Sequence, residues 1–449
     1  PNTSPSKSMC PSSADAGGRR DGIPAMPQWE QRQDRIRASV RAAWLSDRAR
    51  RALLMEYEDD GMPSPVLNAH RMGDIGRETD GVINLSAGGQ IHRQPPDFVI
   101  QAVRAAIDER RFHYPGVRGD ADLREALAEK LARDNGITAD PGSEILPTIG
   151  AQFPIDGVLR VLVGPGDEVL LPDPEYASME PVVRMYGGTA VPVPLHDTAA
   201  GWVFDPTDLR RRVSSRTKVF CFSNGNNPAG YLYTREDLEA IAALAQRHNL
   251  FVFSDEEYEN LVFDGRHHTS IASLPGMAER TITAFSFSKA YCLSGLRIGY
   301  AVGPAAVMDH MYNVIRFGIQ AVGALGMRAA LAVVRGPADA WLRGVIADLE
   351  SDRDYAVARL TRMPGIRVHP PVGCYFLWCH IEAGGLPSWE IAEYLLREAR
   401  ISVISGHQFG RSGRHYLRVS GCVGRQRLEE GLDRMERALE RLRVKTPAR

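Results

Sequence analysis

The sequence has little cysteine, almost no net charge and no long apolar run. Its six cysteines, at positions 10, 221, 292, 374, 379 and 422, are too few and too dispersed for a disulfide scaffold, and they form no C-x-x-C pair for zinc. A formal charge of −1, from 54 basic and 55 acidic side chains, gives no reason to expect a nucleic-acid or membrane-surface partner. No stretch approaches the roughly 18 apolar residues of a membrane span. We therefore expect a cytoplasmic protein without a metal, nucleic-acid or membrane partner.

The composition predicts a globular chain of more than one domain. Hydrophobic residues make up 44% of its 449 residues and charged residues 24%, which are ordinary globular values. The first 28 residues are polar and lack the apolar core of a secretory signal. We predict four segments: a flexible tail (1–28), a helical N-terminal extension (29–80), a large domain (81–335) and a small C-terminal domain (336–449).

The centre of the chain alternates short apolar runs with helical patterns. Strands are predicted near 168–171, 218–223, 250–254 and 281–286, and a helix near 235–248. This order predicts an α/β fold in which helices cover both faces of a mostly parallel sheet. After about residue 336 the pattern changes to long helices with short strands between them, which predicts a smaller α+β domain.

Polar side chains gather where the predicted strands end. Ser223–Gly230 follows one strand, Asp255–Tyr258 follows the next, and Ser286–Lys289 follows the last. Ligands of open parallel sheets bind beyond the carboxyl ends of the strands. We therefore expect these three segments to share one site.

Lysine is also scarce, since only five of the 54 basic residues are lysines. Lys7, Lys130, Lys218 and Lys445 have the pattern of solvated groups, and so do His267 and His268 after a predicted turn. Lys289 differs because it emerges from a buried strand. A lysine that is partly desolvated loses its proton more easily, and its amine can then form a Schiff base.

A Schiff base with pyridoxal phosphate needs further groups, and the strand ends supply them. Asp255 could keep the pyridine nitrogen protonated, and Asn227 and Tyr258 could donate to the phenolic oxygen. The remaining candidates would hold the phosphate or cover the ring; they are Ser286, Ser288, Arg297, the Gly150-Ala151-Gln152 turn and Tyr176.

Five segments in order resemble class I/II aminotransferases, which are fold-type I pyridoxal-phosphate enzymes. They are HYPGVRGDADLREAL (113–127), NNPAG (226–230), SDEEY (254–258), SFSKAYCLSGLRIGY (286–300) and HYLRVSG (415–421). The resemblance spans roughly residues 80–445. The chain departs from the family at Gly225 and Ala229, where the family usually has proline and threonine.

The resemblance implies a fold and a set of roles. It implies a large domain with a mostly parallel sheet and a smaller α+β C-terminal domain, with Lys289 holding pyridoxal 5′-phosphate and moving the proton. It supports the cofactor roles named above, from Gly150 to Arg297. It also implies that Arg418 binds the substrate carboxylate, that Gly88 lines the substrate pocket with Asn227, and that Tyr114 reaches the neighbouring subunit of a homodimer.

The sequence favours an enzyme that moves an amino group between an α-amino acid and a 2-oxo acid. The same scaffold also supports lyase, decarboxylase, cyclase and oxidase reactions on an amino acid, and the fold alone does not choose among them. A third alternative is a transcription regulator that joins such a domain to a DNA-binding domain. The ordered part of the sequence before Met62 is some 30 residues, which is too short for that domain.

Overall fold

The computed structural model describes residues 80–89 and 92–445. The predicted tail and nearly all of the predicted N-terminal extension lie outside these ranges. The first described strand, β1, is Ile83–Asn84. The strands of the large sheet follow: β2 Ile145–Thr148, β3 Glu168–Asp173, β4 Thr189–Thr198, β5 Gly201–Phe204, β6 Thr217–Ser223, β7 Phe251–Asp255, β8 Thr281–Ser286 and β9 Gly299–Val302.

The large sheet confirms the predicted α/β fold. Its order is β2-β9-β8-β7-β6-β3-β4-β5. The central strands β8, β7, β6, β3 and β4 run parallel, and antiparallel pairs close both edges. The predicted strands at 218–223 and 281–286 are β6 and β8.

Helices cover this sheet because its central strands are apolar on both faces. In β6, for example, Val219, Phe220, Cys221 and Phe222 are all buried. The helices of this part are α1 Asp97–Asp108, α2 Ala121–Lys130, α3 Gln152–Leu162, α4 Met179–Met185, α5 Pro206–Arg212, α6 Arg235–His248, α7 Ala305–Gly318 and α8 Ala324–Arg335.

The C-terminal part forms a second, smaller layer of sheet and helices. Its strands are β10 Ile366–Val368, β11 Phe376–Ile381, β12 Ile401–Ser402, β13 Ile404–Ser405 and β14 Tyr416–Ser420. An antiparallel sheet has the order β10-β11-β14-β13. The helices are α9 Ala338–Leu360, α10 Ser388–Ala399 and α11 Arg425–Lys445. This is the predicted α+β arrangement.

The start of the described chain packs with the C-terminal part. Strand β1 pairs with β12 in parallel, and Ile83 and Leu85 share a core with Leu428 and Leu432. The boundaries at residues 81 and 336 stay predictions. No helix within the described ranges is long and apolar enough to cross a bilayer.

Two expectations about solvated groups are wrong. The Lys130 side chain is only 11% exposed, because α2 brings its Nζ to 2.6 Å from Glu259 Oε1. The His268 side chain is 7% exposed, with Nε2 3.7 Å from Glu256 Oε2, and burial lowers its pKa to about 4. His267 is exposed and Lys218 is 54% exposed, as expected. Lys7 and the Lys445 side chain lie outside the described part.

Candidate active site

The Lys289 amine lies just past the carboxyl end of β8. Its Nζ donates to the Gly88 carbonyl oxygen at 2.7 Å and lies 3.7 Å from Glu257 Oε2. The Tyr375 hydroxyl donates to the same Gly88 oxygen at 3.0 Å. The structure therefore brings Lys289 and Gly88, which are far apart in sequence, into direct contact.

Asp255 ends the neighbouring strand β7 and is buried. It pairs in register with Ala284 of β8, and its Oδ1 accepts the Glu257 N–H at 3.1 Å. Burial holds the pKa of Asp255 well above its ordinary value, and the Glu257 carboxylate raises it further. A cation facing Asp255 would favour its ionised form, and a protonated ring nitrogen is such a cation.

Arg418 and Asn227 are joined by a hydrogen bond. Arg418, in β14, donates from Nη1 to Asn227 Oδ1 at 3.0 Å and from Nη2 to the Ser86 carbonyl oxygen at 3.2 Å. Its guanidinium carbon lies 3.9 Å from the centre of the Phe376 ring. Burial lowers the pKa of this guanidinium, so a carboxylate that reached it would meet a poorly hydrated cation.

The buried carboxylate of Glu175, which the sequence analysis missed, connects the segment after β3 to the end of β6. Glu175 accepts hydrogen bonds from the backbone N–H of Tyr176 at 2.6 Å and of Ser223 at 3.0 Å, and from the Ser223 hydroxyl. Ser223 Oγ in turn accepts the Asn227 N–H at 3.3 Å. Burial raises the pKa of Glu175 to about 7. The only signal for Glu175 in the sequence is its place just after a strand end.

Two tyrosines of the predicted set, Tyr258 and Tyr176, lie near Arg418. The Tyr258 ring is buried and meets the Tyr375 ring edge-on at 5.7 Å between centroids. Its hydroxyl has no hydrogen-bond partner among the described residues, and burial holds its pKa well above the ordinary value. Tyr176 donates from its hydroxyl to Gln152 Oε1 at 3.2 Å.

The predicted phosphate-binding residues fall into two groups. Gly150 has a left-handed φ of 65°, and a Cβ there would lie 2.7 Å from Arg297 Nη2. Arg297 donates to the carbonyl oxygens of Ser294 at 3.0 Å and Ile149 at 3.4 Å. Because α3 begins at Gln152, Gly150 and Ala151 lead into a helix N-terminus beside a guanidinium, an arrangement that suits an anion. Ser286 and Ser288 are linked instead to each other, since Ser286 Oγ accepts the Ser288 N–H at 3.1 Å.

Tyr114 is 83% exposed on the surface of the chain.

The departure at Gly225 has a steric reason, since a Cβ there would lie 2.8 Å from the carbonyl carbon of Gly373. Ala229, the second departure, is buried.

The site's donor set suits a planar ring that carries a basic nitrogen, an oxygen and a phosphate. Tyr258 Oη and Arg418 Nε are buried atoms without a partner in the described ranges. Such atoms cost free energy unless a ligand satisfies them. Asp255 is a buried carboxylate whose pKa burial holds well above its ordinary value, so a cationic ring nitrogen would suit it as a partner. The arrangement can therefore hold a ring beside the Lys289 amine.

Comparisons with known proteins agree with this arrangement. The family model described as "Aminotransferase class I and II" matches residues 80–435. An aromatic-amino-acid aminotransferase of Thermococcus litoralis is 33% identical, over 82% of this chain and 95% of that protein. An aspartate aminotransferase of Pyrococcus abyssi is 33% identical, over 82% and 94%. The solved structure of Thermus thermophilus aspartate aminotransferase with maleate is 30% identical, covers 89% of this chain and 100% of its own, and superposes with a TM-score of 0.80.

Proposed function

This chain belongs to the class I and II aminotransferases, and we propose that it moves an amino group between an α-amino acid and a 2-oxo acid through a Schiff base between Lys289 and pyridoxal 5′-phosphate. The relatives named above are aminotransferases, which favours this reaction over the lyase, decarboxylase, cyclase and oxidase alternatives. The observation that carries the proposal is that Asp255 ends β7, Lys289 follows the neighbouring strand β8, and Arg418 of the small sheet donates to Asn227 in the loop after β6.

Each part of the cofactor has a group in this chain that suits it. Asp255 would hold the proton on the pyridine nitrogen, and Asn227 and Tyr258 would orient the phenolic oxygen. Tyr176 would cover one face of the ring. The groups proposed for the phosphate are backbone N–H groups, hydroxyls and a guanidinium, supplied by Gly150, Ala151, Gln152, Ser286, Ser288 and Arg297.

When bound, the cofactor supplies an electron sink conjugated to the substrate Cα. Lys289 would then act as the base that takes the Cα proton and as the acid that returns a proton to the cofactor carbon. Asp255 keeps the proton on the ring nitrogen, because a buried carboxylate and a buried cation stabilise each other. The Tyr258 and Tyr375 side chains are buried, and the Tyr375 hydroxyl shares the Gly88 carbonyl oxygen with the Lys289 amine.

Arg418 is proposed to bind the substrate α-carboxylate. Its guanidinium can make two parallel hydrogen bonds to a carboxylate, and Asn227, which already accepts from Nη1, fixes its plane. Phe376 and Phe409 lie against the guanidinium carbon, at 3.9 and 5.0 Å to their ring centres, and hold it in place.

We also propose that the enzyme is a homodimer in which Tyr114 reaches the neighbouring subunit's site. Large aromatic side chains are exposed in the single chain: Tyr114 is 83% exposed, Phe112 68% and Phe317 80%. Their exposure supports a second subunit that covers them. The cytoplasmic location expected from the cysteines stays a prediction.

The proposal is tested by product stoichiometry. With an amino acid and a 2-oxo acid together, one new 2-oxo acid should form for each new amino acid, without ammonia or carbon dioxide. Turnover of the amino acid alone, with release of either gas, would show that the chain runs another reaction. An exposed-lysine variant, Lys218→Ala, should behave as wild type.

A further inference from the structure

Glu257 faces the reacting amine. Its Oε2 lies 3.7 Å from Lys289 Nζ, and the two side chains are 17% and 20% exposed. At this exposure water screens the pair only partly, so each group feels the charge of the other more strongly than on an open surface.

The proposed cofactor contacts leave Glu257 without a role. Its neighbours Asp255 and Tyr258 are assigned to the ring nitrogen and the phenolic oxygen. Glu256 turns to the other side of the chain, where its Oε1 accepts from the hydroxyls of Ser254 at 2.9 Å and Ser270 at 3.0 Å. Of these two adjacent glutamates, therefore, Glu257 is the one that lies against Lys289.

We propose that the Glu257 carboxylate holds the Schiff base nitrogen of Lys289 in its protonated form. This inference rests on the proposed function. A negative charge within about 4–6 Å favours the protonated state of a nitrogen. A protonated Schiff base carbon is more electrophilic, so the incoming amino group of the substrate attacks it more readily. Glu257 thus acts through Lys289 and not on the substrate.

Other titratable and charged groups lie near Lys289 and its neighbours and would also act on this nitrogen. From the sheet edge and the small domain these are Asp255, Glu175, Tyr258, Tyr375, Arg418 and Cys422. Burial raises the pKa values of Tyr258 and Tyr375 well above the ordinary value and that of Cys422 to about 11, so these three are neutral near pH 7. Glu175, with a pKa of about 7, is the group whose titration must be separated from that of the Schiff base.

The test is a pH titration of the visible absorbance of the holoenzyme without substrate. Wild type is compared with Glu257→Gln, Glu257→Asp and the matched control Glu256→Gln. The midpoint of Glu257→Gln should fall by about one pH unit or more, because the neighbouring negative charge is gone. Glu257→Asp should lie between that variant and wild type, and Glu256→Gln should match wild type.

A midpoint of Glu257→Gln that stays within about 0.2 pH unit of wild type would overturn the inference. So would a midpoint that moves in Glu175→Gln while that of Glu257→Gln does not. The wild-type spectrum separates this outcome from failure of the proposed function. A wild type that never shows a lysine-bound cofactor band contradicts the function itself, whereas a band whose midpoint ignores Glu257 contradicts the inference alone.

Discussion

Arg418 Nη1 donates to Asn227 Oδ1 at 3.0 Å, so the group proposed to bind the substrate is joined directly to one proposed to orient the cofactor. The two residues lie on different parts of the chain, in the small sheet and in the loop after β6. If the two residues have the proposed roles, this hydrogen bond links substrate binding to ring orientation.

Replacing Arg418 with lysine should raise KM for the amino acid more than it lowers kcat. Lysine keeps the charge but loses the two parallel hydrogen bonds, and we expect kcat/KM to fall about 10²-fold, or about 3 kcal/mol. Steady-state kinetics with one amino acid measure this. The exposed Arg411→Lys should leave both constants unchanged. An unaltered KM in Arg418→Lys would remove the residue from substrate binding.

Replacing Lys289 with alanine should remove both the attachment point and the proton carrier. We expect a loss of at least about 10⁴-fold in kcat. Borohydride reduction followed by peptide mass spectrometry should place the cofactor on the peptide that contains Lys289 in wild type and on no peptide in the variant. Cofactor found on Lys218 or Lys130 in wild type would contradict the assignment.

Asp255→Asn should bind the cofactor but react slowly. Asparagine cannot hold a proton on the ring nitrogen, so we expect kcat to fall about 10²–10³-fold. The exposed Asp354→Asn, whose side chain is 66% exposed, serves as the control. Kinetics equal to wild type in Asp255→Asn would show that another group faces the ring nitrogen.

Gly225→Ala should destabilise the loop that carries Asn227. The new Cβ would lie 2.8 Å from the Gly373 carbonyl carbon and 3.0 Å from its oxygen, both backbone atoms, and relief of this clash costs about 1–3 kcal/mol. Urea unfolding measures the change. The control is Gly344→Ala in α9, where a Cβ would meet no atom of the described residues within 4 Å apart from its own helix backbone. Alanine should stabilise that helix by about 0.5–1 kcal/mol. Equal effects in the two variants would refute the steric account.

Glu256→Gln should make the protein more stable at pH 8 than wild type. Burial raises the pKa of Glu256 to about 8 in the folded state, against 4.5 ordinarily. The unfolded chain therefore loses this proton first, and stability that is complete below pH 4.5 is lost as pH rises toward 8. Glutamine mimics the protonated side chain and escapes this loss, which we expect to be about 2–4 kcal/mol.

Unfolding midpoints at pH 5 and pH 8 measure this difference. The neighbouring His268, whose pKa is lowered to about 4, acts in the opposite sense. The stability that the neutral His268 side chain contributes is complete above pH 6.5 and is lost as pH falls toward 4. At pH 8 this histidine is neutral in both the folded and the unfolded chain, so it adds no pH dependence there. A difference between variant and wild type that is constant with pH would show that Glu256 is ionised in the folded chain.

The sequence predicts those elements whose ends carry local signals. Helix α6 spans 235–248, as predicted, because Thr234 and Asp237 form a capping box and Asn249 closes the helix with a left-handed φ of 52°. Helix α2, in contrast, gives way after Lys130 to a wider turn, Leu131–Asn135, that ends at Gly136. No local signal marks that change.

The site also contains features that the sequence predicts from local signals and features that it does not. Asp255 and Lys289 lie together because they follow the ends of neighbouring parallel strands, and both strand ends are predicted from the sequence. The contact of Glu257 with Lys289 and the contacts of Glu175 with Ser223 depend on side-chain directions across segments far apart in the chain. Lys130 is the clearest example of such a contact. Its position on α2 predicts a solvated side chain, but the structure shows an ion pair with Glu259.

The central claim is tested most directly by a single-turnover absorbance spectrum of the purified holoenzyme. A panel of amino acids is added one at a time, without a 2-oxo acid. The account predicts that, with at least one of them, the lysine-bound cofactor band converts stoichiometrically to the band of the amine form and stays there. A band that persists while ammonia or carbon dioxide accumulates over many turnovers would contradict it.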